Sequence, residues 1–308
     1  MRILEVLFTL QSGGAERIEV DLSNEMSKAN EVILLTLKDD KIDEENRNFY
    51  KFDLSDRVKY VNLGLADGFS LQSQWKVYKI MKELRPDVVH LNAKSMAQFC
   101  ILPIYLLNKR MRFFQTIHSD LHNGYDGGFN KFVFHTLGRT NRMKFIALSD
   151  KNYNDMTSYY PESEFRCIVN GRSPIIKTTL FDSVKQEVDA YRKTEQTKIF
   201  LHVARFNEVK NQNLLIKAFN VLYNRNIDAQ LLIIGAGFES MDGQRLLKEC
   251  SQNTHYLGTR KNISDYMLNV DVFCLSSISE GMPITLLEAS LAGVPCVSTP
   301  VCGSVDLI

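Results

Sequence analysis

The stretch Val272-Phe-Cys-Leu-Ser-Ser-Ile-Ser-Glu-Gly-Met-Pro-Ile-Thr-Leu-Leu-Glu-Ala-Ser-Leu-Ala-Gly-Val-Pro-Cys-Val-Ser298 decides how the chain is read. Val272–Leu275 is a short apolar run of the kind that forms a buried strand. Ser276–Met282 is polar and glycine-containing, and reads as a loop. Pro283 suits the first helical position, because its missing N–H would be unsatisfied there anyway. A helix is therefore expected over Pro283–Ala292, and Pro295–Ser298 reads as the next strand. Strand, helix and strand in close succession predict a parallel sheet with helices on its faces.

The same alternation extends to both ends. The first half predicts strands at Ile3–Leu7, Val32–Leu37, Val58–Asn62, Val88–Leu91, Phe113–Ile117, Phe145–Leu148 and Cys167–Val169. Helices are expected at Ala15–Lys28 and Ser70–Leu84, the second stopped by Arg85-Pro86. The second half predicts strands at Ile199–Val203, Gln230–Ile234, His255–Leu257, Val272–Leu275 and Pro295–Ser298, with helices at Asn213–Asn224 and Pro283–Ala292. Residues 176–197 are polar and weakly patterned at their ends, so the boundary is placed there: one domain over 1–177, another over 178–308. The fold class is α/β, with two doubly wound domains. Such sheets bind ligands at the carboxyl ends of their strands, and a cleft between the domains is the expected site.

The totals narrow the function. A chain of 308 residues with 44% hydrophobic and 24% charged residues and a net charge of +1 has ordinary globular composition. That balance argues against nucleic acid as the main partner. The six cysteines form no Cys-x-x-Cys pair, and read as reduced thiols rather than disulfides or zinc ligands. The start, Met1 to Phe8, is interrupted by Glu5 and lacks a cleavage pattern, and no apolar run reaches the ~18 residues of a membrane span. A soluble cytoplasmic protein is expected, with peripheral contact at the inner face of a membrane left open. Lys109, Arg110, Arg112, Arg139, Arg142 and Lys144 flank Phe129, Phe132, Val133, Phe134 and Leu137. That combination is either a surface for anionic lipid or a solvated face above a core.

Glu280 and Glu288 flank a helix N-terminus whose first amides can face an anion, and Gly281 lets a ligand approach closely. Two carboxylates cannot both serve a phosphate; they suit sugar hydroxyls on either side of one. Arg205 and Lys210 follow strand Ile199–Val203, where a guanidinium and an ammonium suit phosphate. Gly235-Ala-Gly237 is a tight strand-to-helix turn, with Ser240 where a dinucleotide fingerprint has its third glycine. Gly13 and Gly14 permit close backbone approach after the first strand. His118 ends a strand on the side where ligands gather, whereas His90 lies inside one; Asp120 and His122 offer no convincing metal spacing. Asn170-Gly171 reads as a turn near the hinge. Taken singly, each of these is equally a solvated charge or a plain turn.

Together the strings Gly13-Gly-Ala-Glu-Arg17, His118, Asn170-Gly171, Arg205 with Lys210, Gly235-Ala-Gly237, Leu257-Gly258 and Glu280-Gly-Met-Pro-Ile-Thr-Leu-Leu-Glu288 resemble the family 4 retaining nucleotide-sugar glycosyltransferases. The resemblance implies the GT-B fold, two facing Rossmann-like domains, the first binding acceptor and the second the donor. It implies transfer of a sugar from a UDP- or GDP-linked donor to a glycan or lipid-linked acceptor, as in polysaccharide biosynthesis, with no metal and no cofactor. By resemblance, His118, Glu280, Arg205 and Lys210 act at the reacting bond. Gly13, Gly14, Asn170, Gly235, Gly281, Met282, Pro283 and Glu288 hold substrate, Glu288 through the ribose. Family members commonly carry Gly-Gly-x-x-Glu where this chain reads Cys302-Gly-Ser-Val-Asp306, and they continue through further helices. Against them the C-terminal domain is expected to be incomplete, ending at Ile308. A GT-B-shaped epimerase and a non-catalytic nucleotide-sugar-binding partner remain open alternatives.

Overall fold

The computed structural model describes residues 1–41, 47–66, 70–93, 96–121 and 128–308, with Asn130 described for its backbone only. His122 lies outside the described residues. The chain divides into two compact units, Met1–Gly171 and Arg172–Ile308, so the division falls six residues before the expected 177/178.

The first unit runs β1 (Arg2–Leu7), α1 (Gly14–Met26), β2 (Glu31–Lys38), β3 (Val58–Leu65), α2 (Leu71–Leu84), β4 (Val88–Leu91), α3 (Met96–Phe99), α4 (Ile101–Leu107), β5 (Arg112–Ile117), α5 (Gly128–Arg139), β6 (Lys144–Ala147), α6 (Asp150–Tyr159) and β7 (Phe165–Cys167). Its strands form one sheet in the order β3-β2-β1-β4-β5-β6-β7, and every pairing is parallel. Alternate residues of each strand feed opposite faces. Leu4, Val6, Ile33, Leu35, Val89 and Leu91 pack with Val77 and Met81 of α2 on one side. Leu7, Val32 and Leu34 pack with Val20 of α1 on the other.

The second unit runs α7 (Phe181–Asp189), β8 (Lys198–Val203), α8 (Gln212–Asn224), β9 (Ala229–Ile234), α9 (Met241–Lys248), β10 (Thr254–Tyr256), α10 (Ile263–Met267), β11 (Val272–Leu275), α11 (Ile284–Leu291) and β12 (Cys296–Ser298). The sheet order is β10-β9-β8-β11-β12, again parallel throughout. Ile199, Leu201 and Leu232 pack against α7 and α11, while Leu231 and Ile233 pack against α8 and α9.

Local chemistry explains the helix ends. Ser70 caps α2 by accepting from the Ser73 amide at 3.0 Å. The same helix ends at Arg85, which takes a left-handed turn (φ 49°) before Pro86.

Three expectations are corrected. Residues 181–189, read as part of a polar linker, form α7, because Val184 and Val188 stand one turn apart and both are buried. Each such burial contributes about 1.5–3 kcal/mol. The last strand of the first unit is Phe165–Cys167 rather than Cys167–Val169. Phe165 stacks on Phe145 at 5.1 Å, which draws the pairing toward it, while Ile168 and Val169 are exposed. Pro283 is the N-cap of α11, with ψ 107°, and the first helical residue is Ile284.

Candidate functional site

In the second unit the sheet order reverses direction between β8 and β11, and the loops after these strands leave side by side. Such a switch point is where open parallel sheets bind ligands. The loop after β8 carries Arg205 and a short 3-10 turn over Glu208–Lys210, closed when Asn207 Oδ1 accepts from the Lys210 amide at 3.0 Å. The loop after β11 is stitched to it: the Ile278 amide donates to Val209 O at 2.7 Å, and Ser276 Oγ donates to Lys210 O at 2.8 Å. Arg205 and Lys210 are thus brought beside the Ser276–Met282 loop.

Glu280 is gripped on one side. Lys210 Nζ lies 2.5 Å from its Oε1, and Ser277 Oγ donates to the same oxygen at 2.6 Å. Among the described residues its Oε2 accepts nothing. Glu288, in the second turn of α11, repeats the pattern. Arg172 Nε donates to its Oε1 at 2.9 Å, and Arg172 Nη2 lies 2.5 Å from the same atom. Oε2 of Glu288 likewise has no partner among the described residues. Both carboxylates therefore have a cation on one oxygen and an open acceptor on the other. The Arg205 guanidinium makes no hydrogen bond or ion pair among the described residues, although its carbonyl accepts from Gln212 Nε2 at 2.9 Å. Lys210 was read as a phosphate ligand; it also holds Glu280, with donors to spare.

Gly235 and Gly237 are required by the protein's own backbone. Gly235 has φ 154°, and a Cβ there would stand 1.9 Å from Ala204 O. Gly237 has φ 95° beside Phe206, whose amide donates to Ala236 O at 2.8 Å. The turn thereby braces the loop that carries Arg205. Gly281, Met282 and Pro283 are buried rather than lining open surface. The Cys302–Gly303 turn lies over them: a Cβ on Gly303, which has φ 69°, would be 2.6 Å from Gly281 O.

The remaining site candidates belong to the first unit. Gly13 caps α1 in an extended conformation and Gly14 is its first residue, with the Arg17 amide donating to Gly13 O at 3.0 Å. Asn170 is half-buried, and Gly171 has open space around it. His118 directly follows β5. Burial, with His90 nearby, lowers its pKa to about 4, so its imidazole is neutral at pH 7. Its Nε2, like Oδ1 of Asp120, is buried without a partner among the described residues.

Two features were missed from the sequence. Arg172 follows Asn170-Gly171 and bears no motif; a cation next to that turn was the available signal. The other is a cluster inside the first unit. Glu5 of β1 and His90 of β4 are register partners, with His90 Nδ1 2.8 Å from Glu5 Oε2. Asn92 Nδ2 donates to Glu5 Oε2 at 3.0 Å, and Thr116 Oγ1 lies 2.7 Å from His90 Nε2. Glu19 of α1 completes the group, whose ligating atoms lie within 4.8 Å of one another. Burial raises the Glu5 pKa to about 7 and pushes Glu19 well above the usual carboxylate range, with Glu5 adding repulsion.

Comparison with known proteins defines the class. Glycosyltransferase Family 4 matches residues 12–174, and Glycosyl transferases group 1 matches residues 183–308. The chain belongs to this glycosyltransferase family, and its two parallel-sheet domains are those of the GT-B fold. It is 29% identical over 320 residues to "Putative glycosyltransferase EpsF" of Bacillus subtilis, which covers 96% of this chain and 78% of that protein. It is 30% identical over 116 residues to the UDP-Gal:alpha-D-GlcNAc-diphosphoundecaprenol alpha-1,3-galactosyltransferase of Escherichia coli, covering 36% of this chain and 30% of that protein. The structure of Anabaena HepE in complex with UDP and glucose aligns with a TM-score of 0.75 at 18% identity, covering 100% of this chain and 83% of the other.

Proposed function

We propose that this glycosyltransferase moves a sugar from a UDP-linked donor to a glycan or lipid-linked acceptor, with retention at the anomeric carbon and without a metal. The observation that carries the reading is the pair of open carboxylate oxygens, on Glu280 and Glu288, flanking the N-terminus of α11 beside Arg205 and Lys210. Ribose hydroxyls donate to Glu288 and donor-sugar hydroxyls to Glu280. The diphosphate gathers negative charge as its bond to the sugar breaks. Arg205, the spare donors of Lys210 and the first amides of α11 oppose that charge, and fixed donors of this kind need no reorganisation during the reaction. His118, neutral at pH 7, offers a hydrogen bond to a sugar hydroxyl; Gly13, Gly14 and Asn170 serve substrate through backbone approach and an amide. The similarity to HepE, whose structure holds UDP and glucose, and to the galactosyltransferase that uses UDP-Gal and a diphosphoundecaprenol-linked sugar supports a UDP donor and a lipid-linked acceptor.

No helix among the described residues is long and apolar enough to cross a membrane. Exposed Phe129 and Phe132, with Lys131 between them on α5, support a peripheral contact with acidic lipid.

The test is release of nucleotide from UDP-glucose, UDP-galactose, UDP-N-acetylglucosamine and GDP-mannose, with undecaprenyl-diphosphate-linked sugars as acceptors and EDTA present. A UDP-sugar giving an α-linked product is the expected result. Release only from GDP-mannose reassigns the base. No release and no binding of any nucleotide sinks the reading.

A further inference from the structure

We infer that Arg172 is a positioning residue for the nucleotide's ribose: it turns Glu288 so that a single carboxylate oxygen faces the hydroxyls. The inference rests on the reading of Glu288 as the ribose-holding carboxylate. Two guanidinium contacts to Glu288 land on the same atom, Nε donating to Oε1 at 2.9 Å and Nη2 lying 2.5 Å from it. A bidentate guanidinium ordinarily takes both carboxylate oxygens. Here the fork converges on one, and Oε2 accepts nothing among the described residues. Both side chains are 12% exposed. At that depth a glutamate left alone turns its oxygens among several rotamers and bears an uncompensated charge. Arg172 removes both costs before the nucleotide arrives, and preorganised acceptors bind more tightly because ordering has already taken place. The arrangement is not local: the partners stand 116 positions apart in the chain. Lys210 and Ser277, converging on Oε1 of Glu280, show the same device one loop away.

A residue that orients the ribose acceptor governs discrimination for ribose hydroxyls more than affinity for the diphosphate. The experiment is calorimetric titration of the 308-residue chain with UDP and 2′-deoxyUDP, in wild type, Arg172→Ala, Arg172→Lys and Glu288→Gln, with a thermal melt of each. Wild type should prefer UDP by about tenfold, the worth of one hydrogen bond to a charged acceptor. In Arg172→Ala the preference should narrow to under about threefold, while 2′-deoxyUDP binding changes less than about twofold. Arg172→Lys keeps the charge without the fork and should narrow the preference as well. A retained tenfold preference in either arginine variant, alongside its loss in Glu288→Gln, overturns the role of Arg172 and leaves the donor site standing. No preference in wild type, or no effect of Glu288→Gln, overturns the reading of Glu288 itself. A variant that melts before titration is replaced by the other, whose ratio decides.

Discussion

Both units place buried or half-buried carboxylates at the point where their sheet order reverses, and they treat them in opposite ways. In the first unit that point lies between β1 and β4, and there Glu5, Glu19 and His90 stand together with no lysine or arginine bridging to them among the described residues. In the second it lies between β8 and β11, and there Glu280 meets Lys210 while Glu288 meets Arg172. A buried carboxylate without a cation is costly to ionise, so it takes up a proton, as the raised pKa values of Glu5 and Glu19 record. A carboxylate with a cation on one oxygen has its charge compensated in place and keeps the other oxygen to accept a hydroxyl. The first arrangement ties α1 to the sheet; the second is the receptor for hydroxyl groups that the proposed function requires.

The strongest test of that contrast is Glu288→Ala. Losing hydrogen bonds to a charged acceptor should weaken UDP binding on the order of 100-fold, read by calorimetry. An unchanged dissociation constant would remove Glu288 from the site.

The next concerns the first unit. Glu5 binds its proton up to about pH 7 in the folded chain but only to about 4.5 in the unfolded one. The folded state therefore holds protons the unfolded state has released, and stability falls as pH rises through this window, with Glu19 extending the loss upward. The lowered pKa values of His90, His118, His202 and His255 act in the other direction, costing stability as pH falls below 6.5. The histidine contributions are shared by wild type and Glu19→Gln, so between pH 6 and 8 urea unfolding should show wild type losing stability relative to the variant by on the order of 2 kcal/mol. Equal slopes would mean that the cluster holds no shared proton.

The smallest expected effect is that of Ser277→Ala. It removes one of two contacts on Glu280 Oε1 while Lys210 remains. A net hydrogen bond of about 1 kcal/mol corresponds to roughly a fivefold loss in kcat/KM. A loss comparable with that of Glu288→Ala would show that Ser277, rather than Lys210, sets the carboxylate.

Much of this was legible before the fold was known. The continuous apolar runs at Val32–Leu37 and Gln230–Ile234 are strands because parallel sheets bury both faces, and the helix stop at Arg85-Pro86 follows from steric exclusion. The glycines at 235 and 237, and the Glu280 to Glu288 string, marked the loops that follow β9 and β11. Their reasons were not legible: Gly235 is demanded by the carbonyl of Ala204, and Gly281, Met282 and Pro283 lie beneath Gly303. The helix over Phe181–Asp189 was hidden because only Val184 and Val188 carry its apolar signal.

The sequence by itself determined which segments are strands and helices, that they alternate into parallel sheets, and which loops hold cations and carboxylates. Those are properties of residues a few positions apart, fixed by side-chain periodicity and backbone sterics. The tertiary structure decided the pairings: Glu5 beside His90 through the register of β1 on β4, and Arg172 on Glu288 across 116 positions. No local rule specifies such partners, because they follow from which strands become neighbours. Once they are neighbours, the cost of burying a charge decides whether a carboxylate meets a proton or a cation.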